Sequence, residues 1–154
     1  MLELYQPTFD DLWFRQNLLS DDKTMAYNHA YGGTIDFGKT KWEQWYDFWI
    51  TNNQSKRFYR YLKRGPIFVG EASYHHDEDS GVYIADILVF FPYRKKGFGS
   101  EGLTLLCDAA KENGIKALYD NIAIDNPSIN LFLKNGFTEE YRNNEIIMVK
   151  KELL

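Results

Sequence analysis

The apolar run over residues 84–91 feeds into Arg94-Lys95-Lys96-Gly97-Phe98-Gly99-Ser100, and an amphipathic segment follows at once. This succession constrains the fold more than any other stretch of the chain. The segment carries Leu103, Leu106, Cys107 and Ala110 on one face, stops at Asn113-Gly114, and leads into another strand-like run at 117–124. Two strands joined through a helix lie parallel, so a mixed α/β sheet with one crossover is expected. The loop has the composition of a phosphate cradle. Glycines let backbone N–H groups approach an anion, and the helix start adds the positive end of its dipole.

The rest of the chain divides into short elements. Residues 2–6 read as a first strand, and Thr8-Phe9-Asp10-Asp11 has the form of a capping box opening a helix to about residue 19. Residues 20–39 are polar and glycine-punctuated and read as loop. Thr40-Lys41-Trp42-Glu43 is a second capping box, with Trp42, Trp45, Tyr46 and Trp49 at the spacing of a buried helix face. Residues 58–62, 67–74 and 82–90 form an antiparallel meander of three strands. Asn126-Pro127 places an N-cap and a proline at the start of a short helix ending at Asn135-Gly136. Residues 137–142 and 146–151 close the chain as a hairpin around Asn143-Asn144. The expected order is β-α-α-β-β-β-α-β-α-β-β, one domain over residues 1–154 without repeats or linkers.

Composition narrows the function classes. The chain has 22 acidic and 18 basic residues, a net charge of −4, which disfavours nucleic acid as a partner. Cys107 is alone, which suits a reducing cytoplasm. Met1-Leu2-Glu3-Leu4-Tyr5 lacks the basic and apolar regions of a signal peptide, and no apolar run approaches the roughly 20 residues of a membrane span. A cytoplasmic protein without membrane partners is expected.

Gly97-x-Gly99-x-x-Gly102, with Asp120 lying 21 residues past Gly99, imitates a dinucleotide-binding fingerprint. Context rejects it. A proline and three cations separate the strand from the first glycine, and only 34 residues follow Asp120. No Gly-Lys-Ser/Thr follows the glycines, so the loop is not of the Walker type.

The pattern Arg94-x-x-Gly97-x-Gly99 instead resembles the acetyl-CoA-binding signature of the GNAT acetyltransferase superfamily. Asp86-Ile87-Leu88-Val89 with Tyr93-Arg94-x-x-Gly97-Phe98-Gly99-Ser100-Glu101 looks like the cofactor segment of diamine and other small-amine acetyltransferases. Thirty residues on, Asn126-Pro127-Ser128-Ile129-Asn130 and Lys134-x-Gly136-Phe137 look like the same enzymes' second motif. The element order extends the resemblance over about the whole chain, while the specific motifs occupy residues 86–137.

The resemblance implies a sheet whose central strands splay to hold acetyl-CoA. Backbone groups of Ile87, Leu88 and Val89 would pair with the pantetheine arm as though it were an extra strand. The N–H groups of Lys95, Lys96, Gly97, Phe98, Gly99 and Ser100 would hold the pyrophosphate, with charge added by Arg94, Lys95 and Lys96. Asn126 and Asn130 would lie on the arm's other side. Pro92 stands two residues before Arg94, where the family often has it three before, so the bend into the loop differs slightly.

Acetyl transfer to an amine needs positioning, a dry site and proton management. Two carboxylates interrupt otherwise apolar strands: Asp86, between Ala85 and Ile87, and Glu71, after Gly70. Burial would raise their pKa towards that of a useful base, so both are candidate general bases. A salt bridge to Arg57, Arg60 or Lys63 on the neighbouring strand is an equal alternative for each. Two further positions depart from the resemblance. Ala85 stands where the diamine enzymes commonly carry glutamate, and Phe132 where the family's usual acid is tyrosine. Tyr93, Tyr119 and Tyr141 are substitutes to consider.

Other features read as structural. The tryptophan stripe belongs to the core, the polar run His75-His76-Asp77-Glu78-Asp79 to a solvated hairpin tip without metal, and Cys107 to an apolar helix face. The leading expectation is an acetyl-CoA-dependent N-acetyltransferase acting on a primary amine of a small molecule, with a homodimer as the assembly to test. An acyl-CoA-binding module that has lost catalysis and a protein N-terminal or lysine acetyltransferase are the alternatives.

Overall fold

The apolar runs become seven strands in a computed structural model that describes residues 1–154. β1 (Leu2–Tyr5), β2 (Arg57–Arg64), β3 (Ile67–His76), β4 (Tyr83–Val89), β5 (Ala117–Ala123), β6 (Thr138–Arg142) and β7 (Ile146–Glu152) form one sheet in the order β1-β2-β3-β4-β5-β7-β6. α1 (Leu12–Ser20), α2 (Trp42–Tyr46), α3 (Phe98–Glu112) and α4 (Ile129–Lys134) cover its faces. Every neighbouring pair is antiparallel except β4 with β5, which flank α3 as the crossover requires.

Burial follows the helical period. α3 buries Phe98, Leu103, Leu106, Cys107 and Ala110 over Leu62, Ala85, Leu118, Ile122 and Val149. Each fully buried leucine here contributes roughly 1.5–3 kcal/mol. On the opposite face, Phe14 and Leu18 of α1 pack on Tyr59 and Tyr61, and Leu12 and Leu19 pack with Met25, Phe37 and Trp42.

Three helix starts differ from the sequence reading. The first capping box forms, the Thr8 N–H donating to the Asp11 carboxylate at 2.9 Å, but it opens a 3₁₀ turn (Phe9–Asp11) ahead of α1. The second does not form. Thr40 lies inside a 3₁₀ turn (Lys39–Lys41), and α2 widens after five residues into a π turn (Asp47–Thr51). Tertiary contact sets its start instead: the Trp42 indole N–H donates to the Phe37 carbonyl at 2.9 Å. At α4 the N-cap position belongs to Ser128, whose N–H is held by the Asn126 side-chain oxygen at 3.0 Å.

The site opens where the sheet parts. β4 and β5 share a single residue pairing, Ile84 with Tyr119, and diverge beyond it. The Phe90 N–H reaches the Val69 carbonyl at 2.8 Å, and antiparallel ladders alternate. Leu88 and Asp86 therefore exchange their backbone bonds with β3. Ile87 and Val89 turn theirs towards the gap where β5 has left.

Candidate active site

The gap opens into a cleft of about 1240 Å³, larger than the roughly 300–1,000 Å³ of a drug-sized pocket. Its lining brings together Glu71, Asp86, Ile87, Leu88, Val89, Arg94, Lys95, Gly97, Phe98, Gly99, Ser100, Asn126 and Phe132 from the sequence-derived candidates. Lys96 and Asn130 are exposed and lie outside the lining. Their positions, one residue off the residues that turn inward, were not separable from sequence spacing.

The loop between β4 and α3 is shaped for an anion. It leaves β4 through a 3₁₀ turn (Phe91–Tyr93) that contains Pro92. Lys95 adopts a left-handed φ of 64° and Gly97 one of 85°, so the N–H groups before α3 converge on one side. The helix's first N–H groups have no partner within it, which adds to the concavity. Gly99 faces the floor, where an added Cβ would meet Leu131 at 3.2 Å and Val89 at 3.7 Å.

Arg94 does something the sequence reading did not assign to it. Its Nε donates to the Val89 carbonyl at 3.0 Å and its Nη2 to the Thr24 carbonyl at 2.8 Å. The side chain thereby ties the segment around Thr24 against the cradle. That segment, read from sequence only as loop, contributes Met25, Tyr27, Asn28, Tyr31 and Ile35 to the cleft wall. Because Arg94 occupies the Val89 carbonyl, the unpaired backbone at the splay reduces to Ile87 and the Val89 N–H.

Three carboxylates cross the cleft floor on adjacent strands, Glu71 on β3, Asp86 on β4 and Asp120 on β5. Glu71 is buried and engaged. It accepts from Arg15 Nη1 at 2.8 Å and from the Tyr59 hydroxyl at 2.6 Å. The proposed partners Arg57, Arg60 and Lys63 are not used. Arg57 donates to the Phe48 and Asn52 carbonyls, and Arg60 and Lys63 lie over Phe58 and Tyr5. Facing side chains explain the choice: Arg15 comes down from α1 onto the face that carries Glu71. The aromatic faces of Trp45, Phe37 and Tyr59 surround its guanidinium at 4.5, 5.0 and 5.4 Å. The tryptophan stripe thus reaches the site through Trp45, with Trp42 alone fully buried.

Asp86 has no ion pair. It is accessible from within the cleft, yet protein surrounds it, and that burial pushes its pKa up to about 6, helped by the charge of Glu71 and opposed by Arg15. Burial also raises the Asp120 carboxyl well above the ordinary range, with the charge of Asp86 adding to it. The sequence reading noticed Asp120 only for its spacing from the glycines. The signal that singled out Asp86, a carboxylate inside an apolar strand, applies equally to it.

Of the alternative tyrosines, Tyr93 lines the cleft; Tyr119 lies under the Lys150 ammonium, and Tyr141 is exposed on β6. Phe132 is buried at the cleft edge against Phe137, ring centroids 5.0 Å apart. No group of metal-ligating side chains exists, and His76 in the hairpin tip contacts Glu78 at 3.2 Å. Cys107 is buried, which raises its thiol pKa.

A family model, Acetyltransferase (GNAT) family, matches residues 6–137. The chain belongs to the GNAT acetyltransferase family. It is accordingly an acetyl-CoA-dependent N-acetyltransferase. The solved structures agree in fold at low identity. yncA of Salmonella typhimurium, solved with its cofactor acetyl-CoA, superposes with a TM-score of 0.80 at 16% identity, covering 99% of this chain and 94% of that one. Spermidine N-acetyltransferase of Vibrio cholerae, in complex with CoA and spermine, gives 0.78 at 17% identity over 99% and 95%. Ribosomal-protein-alanine N-acetyltransferase of Brucella melitensis gives 0.74 at 20% identity over 99% of each chain. No curated protein sequence matches the chain. No helix is long and apolar enough to cross a membrane.

Proposed function

We propose that this GNAT enzyme moves the acetyl group of acetyl-CoA to a primary amine of a small cationic molecule. The observation that carries the reading is Asp86, an unpaired carboxylate on the cleft floor immediately before the free backbone of Ile87. When bound, acetyl-CoA supplies an activated acetyl group on a thiol leaving group. Ile87 and Val89 would hold its arm, and the N–H groups of Lys95, Gly97, Phe98, Gly99 and Ser100 its pyrophosphate. Asn126 would face the arm from the β5 side.

The chain's own residues manage the proton. A primary alkylammonium such as that of lysine has a solution pKa near 10.4 and is no nucleophile until deprotonated. Asp86, with its pKa near 6, is ionised at neutral pH and basic enough to accept that proton. Glu71 is held by Arg15 and Tyr59, so we assign it to positioning rather than to base chemistry. On the acceptor side of the floor Arg15 is committed to Glu71, so an incoming ammonium meets Asp86 as a carboxylate without a cationic partner.

Phe132 favours one second reading, a binding module without turnover, because the family's usual acid is missing there. A thiol-release assay with acetyl-CoA across polyamines, aminoglycosides, amino acids and peptides decides. Release with a small amine is expected. Release with peptides alone would reassign the substrate class, and acetyl-CoA binding without release would leave the binding module. Gly99→Val should raise the acetyl-CoA dissociation constant about tenfold, roughly 1.4 kcal/mol, by filling the cradle floor. Calorimetry showing unchanged affinity in a folded variant refutes the cradle assignment.

A further inference from the structure

We propose that Asp120 is the proton donor to the leaving thiolate, the task that Phe132 has no hydroxyl to perform. The inference rests on the reading of the chain as a working acetyl-group transferase.

Strand parity places the two aspartates on opposite sides of the splay. Asp86 alternates with Ala85 and Ile87, which pack under α3, so it leaves β4 towards the α1 and α2 face. Asp120 alternates the other way. Its neighbours Leu118 and Ile122 pack in the same core as Phe132, so it leaves β5 towards α3 and α4. Both carboxylates nonetheless line one cleft, because β4 and β5 part beyond Ile84 and Tyr119. One therefore serves the incoming nitrogen and the other the side where Phe132 stands.

Their surroundings decide which holds a proton. On Asp86's side, burial and the charge of Glu71 oppose ionisation, and the Arg15 guanidinium offsets part of that. Around Asp120, the residue opposite on β7 is Val149, and α4 and α3 offer Leu131, Phe132 and Phe98. Lys150 on β7 is drawn away to Glu152 at 2.7 Å, and Lys95 stands exposed at the loop end. With Asp86 negative across the same cleft, Asp120 keeps its proton. The directions agree, since burial and then the charge of Asp86 push the Asp120 carboxyl well above its ordinary value. Environments that separate two carboxylates in this way mark an acid and a base.

The protons balance. Asp86 takes the ammonium's first proton and passes it to solvent, and it takes the nitrogen's second proton as the C–N bond forms. The C–S bond breaks, its electron pair leaves with sulfur, and sulfur takes the proton of Asp120. Exchange with solvent in the cleft restores both, Asp86 losing a proton and Asp120 regaining one. One proton is released per turnover, as amide formation from an ammonium requires.

Asp120→Asn should lower kcat about tenfold, the low end for acid catalysis because a thiolate with a pKa near 8.5 departs tolerably well unaided. It should also remove the alkaline limb of the kcat profile while acetyl-CoA affinity is unchanged. Phe132→Tyr should restore much of the loss in the Asp120→Asn background and none in Asp86→Asn. Carbon-13 NMR of the free parent protein should show the Asp120 carboxyl protonated at pH 7 and that of Asp86 ionised, a result that stands even if the variants fail to fold. An ionised Asp120 at pH 7, or an active parent whose rate and pH profile survive Asp120→Asn, overturns this proposal alone. A parent that releases no thiol with any amine overturns the functional reading and this one with it.

Discussion

Asp86→Asn lowers turnover by about 10²-fold or more, the usual worth of a general base. Asparagine keeps the size and part of the hydrogen bonding while removing the basic site. In the parent, kcat/KM should fall as pH drops through about 6, because the carboxylate must be ionised to accept a proton. The variant's residual rate should lack that limb. Stability moves the other way. The folded carboxyl titrates near 6 and an unfolded aspartate near 3.9, so charging Asp86 costs stability as pH rises through the folded value. The variant should therefore melt higher than the parent at pH 8, the gap closing by about pH 4. Parent-like turnover in a folded variant would transfer the base role to a water chain.

Arg15→Met destabilises the fold by roughly 3–5 kcal/mol, because it strands Glu71 as an uncompensated buried charge. The pair qualifies as buried: its side chains are 16% and 6% exposed. Desolvation works against the Arg15 charge, yet Glu71 and Tyr59 outweigh it and hold the guanidinium above its ordinary pKa. Methionine keeps the stem packed against Trp45 and Phe37, which isolates the electrostatic part. Adding Glu71→Gln should recover much of the loss, since it removes the stranded charge while leaving a partner for the Tyr59 hydroxyl. Urea unfolding of the two single variants and the double measures this. A loss in Arg15→Met below about 1 kcal/mol would show that solvent reaches Glu71.

Much of the fold is legible in local pattern. The glycine-rich loop between two apolar runs dictates a strand, a helix and a parallel strand, and α3 buries the face read from Leu103, Leu106, Cys107 and Ala110. Gly114, at a φ of 83°, stops that helix where Asn113-Gly114 said it would stop. The second capping box fails because a capping motif is worth about 1 kcal/mol, and packing of Trp42 and Phe37 outweighs it.

The site divides along the same line. The candidate cradle residues and two mid-strand carboxylates could be named from the chain alone, because glycine spacing and a charge inside an apolar strand are local signals. What those carboxylates face came only from the packing of distant elements. Arg15 reaches Glu71 across 56 residues of chain and pairs it. Asp120 lines the same cleft as Asp86 because β4 and β5 share one residue pairing and then part. Arg94, Lys96 and Asn130 keep their place in the motif, but orientation sends Arg94 to carbonyls and the other two to solvent. Residue type and spacing specify which groups a chain has to offer. The direction each side chain takes, and the charges it then faces, depend on packing between elements far apart in the chain.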